Sequence, residues 1–318
     1  MREIGGYLEL DNYRDRAFHK DVIALNCGRN CIEYAILVKK IKKIKLPYFM
    51  CSSVKEKCEK IGVEISFYHI DRYFLPIDRL EIDDDEWIYM VNYYGLVSSE
   101  KISLYAQEYD YRLIVDYTHS FFEKPIDGVI TIYSCRKYFG VTDGAYMYID
   151  QELDYDIPID ISYDRMNFLL GRYELSAEQF YMEYLKNDAL FNNEPLKRMS
   201  KLTANLLNGI DYEFVKNRRT DNFSFLNSKL AKLNLLDFDN IEGAFAYPLL
   251  LENGERIRSE LIKKKIFIPT LWLDALSLLN KSDLEYYYVK NILPIPCDQR
   301  YNIYDMKYVV EEIYKCIN

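Results

Sequence analysis

What the 318-residue sequence lacks narrows its class before any motif is read. No apolar run approaches the ~20 residues of a membrane-spanning helix, and the opening Met1-Arg2-Glu3-Ile4-Gly5-Gly6 has no apolar stretch of a secretory signal. The expectation is a chain that works in the cytoplasm, off the membrane. Seven cysteines occur without a single Cys-x-x-Cys pair, which speaks for free thiols rather than a disulfide framework or a zinc site. No Gly-x-Gly-x-x-Gly or Walker-type loop is present, so the common signatures of nucleotide-binding sheets are missing. Repeats, low-complexity tracts and Pro/Gly/Ser linkers are absent as well. The net charge of −9 provides no overall basic field, and a nucleic-acid partner is not expected.

What is present is ordinary globular composition, 49% hydrophobic and 29% charged, long enough for one large domain and a smaller one. The basic run Lys39-Lys40-Ile41-Lys42-Lys43-Ile44-Lys45 reads as the cationic end of a helix. Asp83-Asp84-Asp85-Glu86 reads as an exposed turn before a strand rather than a metal site, and no metal is expected. Strands over 21–25, 45–50, 63–68 and 87–92 alternate with helices over 31–38, 53–61 and 102–108. This rhythm predicts an α/β fold, a mainly parallel sheet flanked by helices. After Asp150 the character changes, and Met199, Leu202, Leu206 and Leu207 fall at helical spacing. The expected division is a large domain with an N-terminal arm over 1–195, then a linking helix and a smaller C-terminal α/β domain over 196–318.

Two apolar strands carry the chemistry. Arg112-Leu113-Ile114-Val115-Asp116-Tyr117-Thr118-His119 ends in a carboxylate, and Val129-Ile130-Thr131-Ile132-Tyr133-Ser134-Cys135-Arg136-Lys137 ends in a lysine. Continuous apolar runs mark strands buried on both faces, and ligands bind outside the carboxyl ends of such strands. Asp116 and Lys137 are therefore expected to face one crevice. An acid that can pair with a protonated pyridine nitrogen, beside an amine that can form a Schiff base, is what pyridoxal 5'-phosphate (PLP) asks of a protein.

The lysine is followed by Tyr138-Phe139-Gly140-Val141-Thr142-Asp143-Gly144-Ala145 and a fresh apolar strand. This segment resembles the lysine loop of fold-type I PLP-dependent enzymes. It is most similar to the DegT/DnrJ/EryC1/StrS sugar aminotransferases, in which an acidic residue, a glycine and a small residue follow the lysine closely. The resemblance implies Lys137 as the Schiff-base lysine, Asp116 as the partner of the pyridine nitrogen, and His119, three residues on, as a contact to the phenolic oxygen. It places the phosphate at the turn Asn26-Cys27-Gly28-Arg29-Asn30-Cys31, bound chiefly by backbone amides of Gly28, Arg29 and Asn30 at a helix start, with Ser134 at the Ser-x-x-Lys offset.

The same resemblance puts Cys51 where the group usually stacks an aromatic ring on the cofactor, leaving Tyr48, Phe49 or His119 as substitutes. Asn92 ends another strand toward the crevice and is a candidate cofactor or substrate contact. The segment Leu293-Pro294-Ile295-Pro296-Cys297-Asp298-Gln299-Arg300-Tyr301 looks like the group's closing strand. For the group, an amino acid, glutamate above all, loads the cofactor, a keto-sugar nucleotide accepts the amino group, and homodimers are the rule. Arg218, Arg219 and Arg300 are the candidate cations for a diphosphate. Three alternatives stay open: a PLP enzyme acting on another substrate, a non-catalytic protein of this fold, and a doubly wound nucleotide-binding protein without PLP.

Overall fold

The computed structural model of the chain describes residues 4–14 and 16–317. In chain order its elements are β1 (Ile23–Leu25), α1 (Gly28–Lys39), β2 (Lys43–Pro47), α2 (Ser52–Ile61), β3 (Glu64–Tyr68), β4 (Glu86–Val91), α3 (Ser99–Glu108) and β5 (Leu113–Asp116). Then come β6 (Ile130–Ser134), β7 (Ala145–Tyr148), α4 (Asn167–Glu174), α5 (Tyr181–Leu190), α6 (Lys201–Asn208) and α7 (Tyr212–Leu230). The chain closes with β8 (Tyr247–Leu250), α8 (Gly254–Lys263), α9 (Leu284–Asn291), β9 (Ile292–Ile295) and α10 (Ile303–Ile317).

Seven strands form one sheet in the order β1-β7-β6-β5-β4-β2-β3. The five from β6 to β3 are parallel, and β7 runs antiparallel to both neighbours. The connection explains the exception, because parallel neighbours need a crossover whereas the short lysine loop between β6 and β7 can only turn back. Two reversals bring β1 back to the direction of β6. The carboxyl ends of β1, β4, β5 and β6 and the N-terminus of α1 therefore share one edge of the sheet.

Strand burial follows the apolar runs: Leu113, Ile114 and Val115 are all buried, as are Ile130 to Tyr133. Two apolar clusters hold the chain. The larger surrounds the seven-stranded sheet and extends through Met199, Leu207, Tyr212 and Val215. The smaller lies around the antiparallel pair β8–β9 and joins Phe223, Leu226 and Leu230 to α8 and α10. The helix that links the two cores is thus α7, its first half packed on one and its second half on the other. The spacing at 199–207 marks α6 instead, a short helix belonging to the large core.

The basic run departs from its expected form. The helix stops at Lys39, Lys40 takes a left-handed conformation, and Lys43–Pro47 is β2, with Ile41 and Ile44 buried. Alternation of Ile with Lys suits a strand with one covered face as well as a helix end. Asp83 and Asp85 pair with Lys43, and Glu86 begins β4, accepting from Ser66 and facing Lys45. No helix among the described residues is long and apolar enough to cross a membrane.

Candidate active site

Strand register sets the site. Val91 of β4 pairs with Asp116 of β5, which pairs in turn with Ile132 of β6. Two residues beyond lies Ser134, opposite Ala145, and a single 3-10 turn over Cys135–Lys137 carries the lysine out of the sheet. Asp116 Oδ2 accepts from Tyr89 Oη at 2.7 Å, and Oδ1 from the Thr118 amide at 2.8 Å. Lys137 remains exposed to solvent, and its Nζ has no hydrogen-bond or ion-pair partner among the described residues.

The lysine loop is anchored from beneath. Buried Asp143 accepts from the Ser200 amide and hydroxyl, both at 2.8 Å, and from the Thr203 hydroxyl, capping the start of α6 with a carboxylate. Gly144 has φ +115°, and a Cβ there would lie 3.0 Å from Thr203 and 3.3 Å from Cys135. Its amide donates to Asn26 O and its carbonyl accepts from Cys135 N. The acid-glycine pair thus ties the lysine turn to both α6 and the turn before α1.

Electrostatics act in opposite senses on the two groups. Burial raises the pKa of Asp116, while hydrogen bonds from Thr118 and Tyr89 and the charge of Lys137 resist the rise. Lys137 is lowered below the usual lysine value: it keeps accessible area, yet protein crowds it on most sides, and desolvation followed by the charge of Arg136 disfavours the ammonium. Cys51, Asp188 and Asp116 oppose that shift, which places all three within electrostatic reach of the lysine. Burial, and after it the charge of Lys137, push the His119 pKa well below the ordinary histidine value. Its Nδ1 accepts a long bond, 3.5 Å, from the Tyr94 amide, which assigns the proton to Nε2.

At the α1 end, Cys27 provides no side-chain cap, and the Gly28 and Arg29 amides have no protein acceptor among the described residues. A Cβ at Gly28 would meet nothing within 4 Å, so the space beside this residue is open. A free amine, a paired carboxylate, unpaired helix-start amides and the free hydroxyl of Ser134 form a donor set that suits the aldehyde, the ring nitrogen and the phosphate of PLP.

No protein-family model matches the sequence, and no curated protein matches it. Solved structures do match. A putative sugar aminotransferase of Streptococcus pneumoniae in its PMP form aligns at TM-score 0.67 and 14% identity, over 95% of this chain and 87% of that one. NtdA from Bacillus subtilis, with bound cofactor PMP, aligns at 0.67 and 16% over 93% and 73%. A DegT/DnrJ/EryC1/StrS aminotransferase from Brucella abortus aligns at 0.62 and 14% over 93% and 86%. The chain has the fold of these proteins, aminotransferases of the DegT/DnrJ/EryC1/StrS kind among them.

Within this sugar-aminotransferase fold, several expected contacts are corrected. Asn30 is fully buried; its carboxamide bonds Asn26, Pro195 O and Lys57, and its amide returns to Cys27 O, so it holds the turn together and offers nothing to a phosphate. Asn92 is also sealed, exchanging two 2.9 Å bonds with the backbone of Val97, because its loop must close over β4. Phe49 packs against Tyr93, Phe74 and Trp272, and Tyr48 lies on Phe67 and His69, so neither is a ring-stacking substitute. Cys51 precedes α2, accepts from Ser53 Oγ and stays partly open toward Lys137. Arg219 is buried and bonds only protein groups, Arg300 is held by both oxygens of Asp298, and Arg218 donates to Tyr301 O.

Three site neighbours escaped the sequence. Phe245 stacks on His119 with centroids 4.0 Å apart and planes 8° apart, and its ring centre is 6.0 Å from Lys137 Nζ. Trp272 stands 5.3 Å from His119 in a left-handed backbone conformation, φ 53°. Asp188 of α5 pairs with Arg136 at 2.8 Å; burial works against its charge, but Arg136 outweighs it and the carboxyl stays low. All three come from distant segments with no motif around them.

Proposed function

We propose that the chain is a PLP-dependent aminotransferase that transfers an amino group from an amino acid, glutamate first, to a keto-sugar nucleotide. The observation that carries this reading is the convergence of unpaired Lys137 with hydrogen-bonded Asp116 and the unbonded α1 amides at one sheet edge. The fold shared with sugar aminotransferases supports it.

Bound at this edge, PLP supplies an aldehyde that a lysine can hold and an electron-withdrawing ring. Asp116, fixed by Tyr89 and Thr118, would pair with the ring nitrogen and favour its proton. Lys137, whose pKa burial lowers, would take and return a proton at Nζ. The amides of Gly28 and Arg29, with Ser134, would hold its phosphate. The proposal includes a homodimer, supported by strongly exposed apolar residues in the arm (Ile4, Tyr7, Leu8) and at Tyr163, Tyr173 and Met182. It also retains residues 1–195 as the large domain and 196–318 as linking helix and smaller domain, acting in the cytoplasm, where all seven cysteines remain free thiols.

One observation favours a second reading, a PLP enzyme acting on another substrate: the arginines expected to hold a diphosphate are spent on protein groups. The test is a visible-range spectrum of the PLP-loaded protein, before and after glutamate, followed by a panel of keto-sugar nucleotides beside pyruvate and 2-oxoglutarate. Return of the spectrum with a keto-sugar nucleotide supports the first reading. Return with small keto acids alone supports the second, and absence of any cofactor band refutes both.

A further inference from the structure

We propose that Phe245, reaching in from the segment just before β8, is a positioning residue that fixes the His119 Nε2–H donor in the Lys137 cleft, and that Arg219 and Gln299 hold it there. The inference rests on the reading of the cleft as a PLP site. Phe245 covers one face of the imidazole at 4.0 Å, Tyr94 N–H engages Nδ1, and Trp272 stands beside the ring. Nε2 has no protein partner among the described residues and is not sealed from water. A ring held on one face and at one nitrogen can point its remaining N–H in only one direction.

The hold on Phe245 is unusually direct. Arg219 Nη1 donates to Ala244 O at 2.9 Å and to Phe245 O at 3.3 Å, and Nη2 donates to Tyr138 O at 3.3 Å. Nε donates to Gln299 Oε1 at 2.8 Å, and Gln299 Nε2 donates to the same Tyr138 carbonyl at 2.8 Å. Tyr138 is the residue after Lys137, so one clamp fixes both the aromatic wall and the lysine turn. Gly243 lets the segment pass: its φ is +61°, and a Cβ would lie 2.4 Å from Phe122. A buried arginine with its donors spent on carbonyls is costly to place, and here it spaces Phe245 from Lys137.

On that reading His119, three residues after Asp116, would donate to the phenolic oxygen of PLP. The ionisable groups facing the pair are Asp116, Cys51, Arg136 and Asp188 around Lys137, and Lys137 itself beside His119. A hydrogen bond to the phenolate favours the deprotonated form of the Lys137–cofactor linkage, so its loss raises the pH midpoint of the visible band.

The test uses the full chain loaded with PLP and titrated by absorbance. His119→Phe, which keeps the stack and removes the donor, is expected to raise the midpoint by about one unit, the size of one charge-assisted hydrogen bond. Phe245→Ala and Phe245→Leu should raise it by about half as much or more, Phe245→Tyr should restore it, and adding Phe245→Ala to His119→Phe should change nothing further. A Phe245→Ala midpoint unchanged within about 0.2 unit, or an effect that persists in the double variant, overturns the proposal. The second readout needs no cofactor. With three histidines in the chain, nitrogen-15 NMR of the unloaded protein resolves His119, expected as the Nε2–H tautomer titrating well below the ordinary histidine range and shifting toward that range in Phe245→Ala. An imidazole unaffected by Phe245→Ala and Phe245→Leu refutes the positioning role even if PLP does not bind, and failure of PLP to bind refutes the function reading separately.

Discussion

Replacing Asp143 by alanine removes the acceptor on which the lysine loop rests. Four donors lose their partner: the Ser200 amide, the Ser200 hydroxyl, the Thr203 hydroxyl and, at 3.4 Å, the Thr142 hydroxyl. The site is fully buried, and each unmet donor costs about 1–3 kcal/mol. Loss of a carboxylate at the start of α6 adds about 0.3–1 kcal/mol. Water entering the small void recovers part of this, and the expected net loss is about 3–5 kcal/mol. Asp143→Asn keeps the shape and one acceptor, so about 1–3 kcal/mol is expected. Against a total of roughly 5–15 kcal/mol the alanine loss is large. Urea unfolding followed by tryptophan fluorescence reads it directly, since both tryptophans, Trp87 and Trp272, pack against the larger core. PLP affinity should fall in the same order, because the anchored turn carries Lys137. An alanine variant less than about 1 kcal/mol below wild type would refute the account of the loop as a buried carboxylate cap.

Lys137→Ala should abolish the visible cofactor band and any borohydride-reducible adduct while leaving the urea midpoint near wild type, since the side chain makes no protein bond; a reducible adduct in this variant would move the assignment elsewhere. Asp116→Asn should leave the unloaded protein at least as stable at pH 7. Burial raises the Asp116 pKa in the folded state, so its contribution favours folding below the ordinary value of 3.8 and is lost as pH rises through the folded pKa. The gain should disappear as pH falls toward 4, while turnover with PLP drops about a hundredfold; a variant less stable than wild type at pH 7 contradicts the burial argument. Asn92→Ala should cost about 1–3 kcal/mol by stranding both backbone groups of Val97. Its effect on PLP affinity in an equilibrium titration should not exceed that of an equally destabilising change remote from the cleft.

The sequence by itself determined the elements whose signals are local. Leu113 to Val115 and Ile130 to Tyr133 declare buried strands because an unbroken apolar run needs cover on both faces. Asp116 and Lys137 declare their chemistry because strand ends are where an α/β sheet opens. Gly144 is legible as part of a tight loop, and the structure adds its reason in φ and in the nearby Thr203 and Cys135. The Ile–Lys alternation at 41–45 was not decisive, since the same residues satisfy a helix end and a half-covered strand until β3 and β4 flank them. Asn30 and Asn92 show the limit most clearly: a carboxamide near a strand end can face a ligand or its own backbone, and only the folded turn shows both closing inward. Phe245, Trp272, Asp188 and the Arg219–Gln299 clamp reach the site from more than a hundred residues away or from helices without motifs. Their contacts depend on how segments far apart in the chain pack around the sheet edge, a long-range packing choice that no local spacing encodes.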